Sequence, residues 1–389
     1  MEKNYSGLWS LDPEETNLNH GSFGACPKFI LERQNEYRNQ LEREPIRFLV
    51  QTAETLLEKS REKIAALTGS KAGDLVFVNN ATAGVNTVFR SLNFEPGDEI
   101  LFTNHIYGAC RKTLEFISFR TGARLVEATY PFPLFSSAEI VEAVLSKVTS
   151  RTKIALIDHI TSATALVQPV EEITRELERR GIEVMIDGAH APGSIPLNIE
   201  AIGASYYAAN CHKWLCAPKG AAFLHIRKDK QDKIWPLVIS HAGHEAKSLT
   251  ERFFWPGTFD PSAWICVGDS IDYMASLLPG GWPEIMNRNR VLCLASRRLI
   301  CETLQIPEPC PDSLIASMAA FPLSEARNET PHDYKSFSVL QERLFQEHNI
   351  EIPVWNWDNP KSRLIRIAVQ LYNDPEQYVK LSDALKGLT

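Results

Sequence analysis

The chain has 389 residues, 44% of them hydrophobic, enough to bury a large core and to form one large domain with a smaller one beside it. Its formal net charge is −7 and its basic residues are scattered rather than massed, which argues against a nucleic-acid partner. The N-terminus MEKNYSGLWS lacks an apolar signal core, no apolar run is long enough to cross a bilayer, and the eight cysteines form no CxxC pair, so a cytoplasmic protein with reduced thiols and no membrane partner is expected.

The first informative stretch, LNHGSFGACP, gathers Asn19, Gly21, Ser22 and Gly24, residues of loops that approach a ligand closely. Helical patterns follow over Lys28–Arg43 and Phe48–Thr68, the second ending at Gly69 as a natural C-cap. After a short strand, Leu75–Val78, Val85, Val88, Phe89 and Leu92 share one helical face, with Thr82 at the expected N-cap. Free N–H groups at that helix start, with the Thr82 hydroxyl, suit a phosphate, although many such turns bind nothing.

From there strands and helices alternate. Strands are expected over Glu99–Thr103, Arg124–Thr129, Lys153–His159, Glu183–Ile186, Tyr206–Ala209 and Ala221–Ile226, and helices over Gly108–Arg120, Ala138–Val148 and Val170–Arg180. Repeated β–α units predict an α/β fold, a mainly parallel sheet sandwiched by helices. Beyond Arg227 the pattern changes: Trp235–Lys247 reads as irregular, and FFWPGTFDPSAW as turn-rich and aromatic. A long helix over Trp282–Leu304 leads to the proline cluster PEPCPD. Met318–Leu323, helix Tyr334–His348, Ile352–Trp355, Leu364–Gln370 and a helix after Asp374 predict a small α+β unit.

Chemistry concentrates between Asp187 and Lys213. The acid closes one apolar strand and the lysine follows another, so both are expected at one rim of the sheet, where α/β folds hold ligands. A carboxylate and a lysine converging there are what pyridoxal 5'-phosphate needs: the amine for its aldehyde, the acid to hold the proton on its ring nitrogen. Taken singly, Asp187 reads as a turn residue and Lys213 as a surface lysine. The surrounding run IDGAHAPGSIPLNIEAIGASYYAANCHKWLCAPKG, with LNHGSFG, NNATAGVN, TNHIYGAC, DHITSATALVQP, WPGTFDPSAW and RIAVQLYN, resembles the class V aminotransferase family of pyridoxal phosphate enzymes, most closely the branch containing isopenicillin N epimerase.

The resemblance implies a fold type I enzyme with a seven-stranded-type sheet. It implies an N-terminal segment over the active site (1–25), a large cofactor-binding domain (26–278) and a small C-terminal domain (279–389). It makes Lys213 the Schiff-base lysine, Asp187 the partner of the pyridine nitrogen, and His190, one turn beyond, a neighbour of the ring. Thr82, the backbone at Ala81, Asn210 and His212 are implied phosphate contacts, and Tyr107 stands where relatives stack a histidine on the ring. His105, nearby, is easily confused with it. Thr161 or Ser162 approaches the cofactor hydroxyl. Thr258 matches a phosphate contact given by a partner subunit, which implies a homodimer with shared sites. Arg366 matches the grip on the substrate carboxylate, Arg363 being the surface residue of the two. Asn19, Arg47 and His241 are substrate-pocket candidates, the last two equally open to ordinary structural roles.

No metal site is expected, because His241 and His244 form an HxxH pair without a third ligand in sequence. Cysteine desulfurases carry a nucleophilic cysteine shortly before the carboxylate-binding arginine. Here that region, NIEIPVWNWDNPKSRLIR, has none, and Cys310 lies too far upstream. The implied reaction is epimerisation at the Cα of an amino acid. Carbon–sulfur lysis of a cysteine conjugate and transamination are its alternatives, and a non-catalytic cofactor-binding regulator is the reading from outside enzymology.

Overall fold

The computed structural model describes residues 5–323, 337–357 and 359–388, with the side chains of 359–362 and 388 outside that description. Twelve strands are described: β1 Thr16–Asn17, β2 Leu75–Val78, β3 Glu99–Thr103, β4 Arg124–Ala128, β5 Thr152–Asp158, β6 Glu183–Asp187, β7 Tyr206–Asn210, β8 Ala222–Ile226, β9 Met318–Leu323, β10 Ile350–Glu351, β11 Val354–Trp357 and β12 Asn359–Ala368. Seven of them form one sheet in the order β2-β8-β7-β6-β5-β3-β4. Only β8 runs against its neighbours; the other pairs are parallel. Every residue of β3, β7 and β8 is buried, the pattern of a sheet covered on both faces.

The strand order reverses between β3 and β5: β4 continues outward from β3, while β5 begins the run on its other side. In open α/β sheets a crevice forms at that reversal, outside the carboxyl ends of the strands. The second half builds a three-stranded antiparallel sheet, β11-β12-β9, and β1 pairs with β10, fastening the N-terminal segment to it. No helix of the described residues is long and apolar enough to cross a membrane, and all eight cysteines are unpaired and buried.

Most expected elements stand within a residue or two of their sequence bounds, and Gly69 caps its helix at φ +62° as expected. Four differ in kind. The helix after β2 is capped by Asn80, not Thr82: the extended Asn80 backbone lets its side chain accept the Ala83 N–H at 2.8 Å, a cap worth about 1 kcal/mol. The expected helix from Phe48 begins as a π-helical turn over Phe48–Thr52 and becomes α-helical at Ala53. A helix over Ser262–Ser276 was hidden behind the turn-forming DPS and by Gly268. That glycine is needed, because a Cβ there would meet Ser60 Oγ at 2.9 Å on the facing Ala53–Thr68 helix. The helix expected over Tyr334–His348 is seen as Val339–His348; its start at 334–336 lies outside the described residues.

Candidate active site

The carboxyl ends of β5, β6 and β7, the start of helix Ala81–Ser91 and the turn before helix Gly108–Thr121 enclose a cavity of about 610 Å³. Lys213, Asp187, His190, Asn210, His212, Ala81, Thr82 and Tyr107 all line it. The strand register explains the convergence, since Asp158 of β5 pairs with Asp187 of β6, and Asp187 with Ala208 of β7.

Lys213 points its amine at His190, with Nζ 3.1 Å from Nε2. Burial, and then the nearby Arg366 charge, pull the amine down to about 7, with Asp187 opposing. The Trp214 indole can only donate, and it reaches His190 Nδ1 at 3.4 Å. That leaves the proton of a neutral His190 on Nε2, facing the lysine lone pair. Burial, then the charge Lys213 carries when protonated and that of Arg366, hold His190 well below its ordinary value, so above the lysine's value of about 7 a neutral imidazole donates to a neutral amine.

Asp187 accepts the Ala189 N–H at 3.0 Å and the Cys110 thiol at 3.2 Å. Burial raises its carboxyl, while those donors and Lys213 oppose the rise. Beside it lies Asp158, which the sequence reading passed over. Burial and the Asp187 charge push Asp158 well up, and its Oδ2 has no partner. Two adjacent buried carboxyls favour one negative charge, and the donors around Asp187 place it there. The sequence signal was available: each acid is the last residue of a neighbouring parallel strand.

At the other end of the cavity, Asn210 accepts the Ala81 N–H at 2.8 Å, so that donor is engaged within the protein rather than free for a ligand. Thr82 keeps both its N–H and its hydroxyl without a partner among the described residues. His212 donates from Nδ1 to the Ala221 carbonyl at 3.0 Å. Burial lowers it to about 4, so its Nε2 becomes a donor only when a nearby anion favours protonation.

Arg366 is buried, yet no carboxylate among the described residues pairs with it. It donates to the Ser162 carbonyl at 2.5 Å and to Ser22 Oγ at 3.2 Å, leans on Asn19 Oδ1 at 3.4 Å, and lies 4.7 Å from the Trp355 ring centroid. Its Nε has no partner, and burial lowers the guanidinium to about 9. Asn19 lines an adjoining cavity of about 420 Å³ that shares Ser22 and Phe23 with the first. Arg363 is buried too, not on the surface as expected, because β12 has a partner strand on each side. An odd spacing of three turns it to the opposite face from Arg366.

Four expected residues stand elsewhere. Ser162, not Thr161, lines the cavity; the Thr161 hydroxyl is spent on the Leu166 N–H and on Thr164, both at 2.8 Å. Arg47 is exposed and pairs with Glu44 beside a separate groove. His241 is exposed outside the cavity, as is Thr258 on the loop just before the lining residues Phe259 and Asp260. His105 is distinct from Tyr107: it is buried, stacked 4.0 Å from Tyr130 and bonded to Thr164.

His20, which the sequence reading passed over, ties the N-terminal segment to the site. Its Nε2 lies 3.0 Å from the Lys213 carbonyl and its Nδ1 3.1 Å from the Tyr372 hydroxyl. Gly24, at φ +70°, passes so close that a Cβ would stand 2.1 Å from the His212 carbonyl oxygen.

The family profile "Aminotransferase class-V" matches residues 24–290. An isopenicillin N epimerase from Streptomyces clavuligerus is 33% identical over 98% of this chain and 97% of its own length. A probable L-cysteine desulfhydrase, chloroplastic, from Arabidopsis thaliana is 31% identical over 97% of this chain and 83% of its own. Among solved structures, the cystine C–S lyase C-DES superposes with a TM-score of 0.79 at 20% identity, covering 97% of this chain and 98% of that one.

Proposed function

The chain belongs to the aminotransferase class-V family, and from that premise we propose that it binds pyridoxal phosphate at Lys213 and epimerises an amino acid at Cα. The single observation that carries this reading is the buried Arg366, which pairs with no carboxylate among the described residues, beside an amine lowered to about 7. The donor set fits the cofactor: a neutral amine, an adjacent carboxylate, a free hydroxyl and N–H on Thr82, and an imidazole, all lining one cavity. Bound there, the cofactor supplies an aldehyde for amines and a protonated ring that draws electrons from Cα.

The chain's residues do the rest. Asp187 holds the proton on the ring nitrogen, where a carboxylate raises proton affinity. Thr82, and His212 once protonated, hold the phosphate. Tyr107 offers its ring to the pyridine face. Arg366, braced by Ser22, Asn19 and the Ser162 carbonyl, receives the substrate carboxylate, the partner its buried charge lacks. That grip fixes which Cα bond is labilised. Lys213, already neutral in part near pH 7, takes the Cα proton as general base.

Inversion at Cα needs a proton from a second group. Tyr107 supplies a phenol that lines the same cavity, raised by burial and therefore protonated at neutral pH. The second reading, expulsion of a sulfur substituent from Cβ, draws on the similarity to the plant desulfhydrase. Thr258, on the exposed loop before Phe259, is read as a contact to the phosphate of a second subunit in a homodimer. The test is a panel of amino acids and cysteine conjugates incubated in heavy water. Solvent deuterium at Cα with inverted configuration supports epimerisation. Pyruvate with ammonia replaces it with the lyase reading, and a keto acid with an aminated cofactor replaces both with transamination.

A further inference from the structure

The rim opposite the cavity carries its own cluster of metal-type ligands. Asp74 closes the turn before β2, Glu200 sits on the short helix Ile199–Ile202, and His225 belongs to β8, where it pairs with Leu75. One ligand atom from each lies within 4.8 Å of the others. These residues are far apart in sequence and meet only because β8 runs antiparallel beside β2.

The His225 side chain is 3% exposed, and neither ring nitrogen makes a hydrogen bond. Its Nε2 stands 3.4 Å from Glu200 Oε1, longer than a good hydrogen bond. That separation is what two ligands of one tetrahedral ion show, because bonds of about 2.1 Å put neighbouring ligand atoms roughly 3.4 Å apart. Each carboxylate is already braced by one oxygen. Gln231 donates to Asp74 Oδ1 at 2.7 Å, and Lys71 to Glu200 Oε2 at 3.0 Å. The other oxygen of each remains available, the arrangement in which outer hydrogen bonds orient metal ligands.

We propose that Asp74, Glu200 and His225 form a binding site for a divalent transition-metal ion of the zinc type. One imidazole nitrogen and two carboxylate oxygens suit that class of ion. Glu200 is 40% exposed, so the ion enters from solvent and a water completes the fourth position. The site lies away from Lys213, and its ion acts on the stability of the β2–β8 edge rather than on catalysis.

The full-length holoenzyme, freed of metal by a chelator and gel filtration, is titrated with zinc chloride in a calorimeter, and bound zinc is measured after desalting. The wild type is expected to hold about one ion per chain and to melt at higher temperature with it. His225→Ala should hold none, and Glu200→Gln should bind at least roughly tenfold more weakly. If His225→Ala fails to fold, Glu200→Gln, at a partly exposed position, carries the test. His241→Ala/His244→Ala should bind like wild type, which separates this site from the exposed histidine pair. Absence of zinc uptake by the wild type, or uptake that His225→Ala and Glu200→Gln leave unchanged, overturns the proposal and leaves a plain histidine–glutamate contact.

Discussion

The two rims of the central sheet make opposite use of buried ionisable groups. At the carboxyl ends of β5, β6 and β7, Asp158, Asp187, His190 and Lys213 are packed so tightly that burial moves every one of them toward its neutral form. Arg366 adds a cation that no carboxylate among the described residues answers. At the other rim, Asp74 and Glu200 flank a buried histidine, and each keeps one oxygen on a hydrogen-bond donor. The first rim stores unsatisfied charge in a cavity large enough for a cofactor and substrate. The second offers at most one small ion a place. Electrostatic strain that a ligand can relieve marks the catalytic side.

Substitutions test that asymmetry, and the largest effect belongs to the amine. Lys213→Ala should cost at least roughly a thousandfold in turnover, with the fold retained by circular dichroism. A variant that keeps most of its turnover breaks the contrast outright. Asp187→Asn removes the charge next to the ring site and should cost roughly a hundredfold. The long-wavelength absorbance of the loaded enzyme should also change, since the ring loses its proton-holding partner.

Arg366→Gln should raise KM roughly 10- to 100-fold, the worth of a lost charged hydrogen bond of about 1.5–3 kcal/mol, while cofactor affinity holds. The same variant carries a pH prediction. Arg366 is the second cause, after burial, of the lowered lysine. Removing that positive charge favours the protonated amine, so the Lys213 value rises above about 7. The acid limb of activity, where a protonated amine cannot take the Cα proton, should move to higher pH, as read from a kcat profile. An unmoved profile would separate the two groups electrostatically.

Tyr107→Phe keeps the ring and deletes the phenol. It should slow inversion roughly tenfold relative to exchange of the Cα proton with solvent. Equal loss of both would remove Tyr107 from the proton pathway. Smallest of all, His225→Ala should leave kcat/KM within experimental scatter, as measured beside the wild type.

The strands and most helices were legible because their apolar residues repeat with clean periods, and Asp187 and Lys213 were legible because one ends a buried strand and the other follows the next one inside one contiguous motif. What was hidden depends on contacts between distant segments. Asp158 lay within an expected strand, and only the register sets it beside Asp187. His20 sat within a recognised loop, but its bond to the Lys213 carbonyl joins residues 193 apart in sequence. Thr161 and Ser162 are adjacent, and only the turn that spends the Thr161 hydroxyl on Leu166 shows which one faces the cavity. Arg47 and His241 carried the right chemistry but lie exposed, outside the cavity of their own chain. The Asp74, Glu200 and His225 cluster has no sequence spacing to find, because an antiparallel strand assembles it.

The central claim is that Lys213 carries the cofactor, and borohydride reduction with peptide mapping tests it most directly. The account predicts a yellow holoenzyme that bleaches on reduction, with the pyridoxyl mass on the peptide containing Lys213. A protein that stays colourless after cofactor loading, or a label fixed to any other lysine, would contradict it.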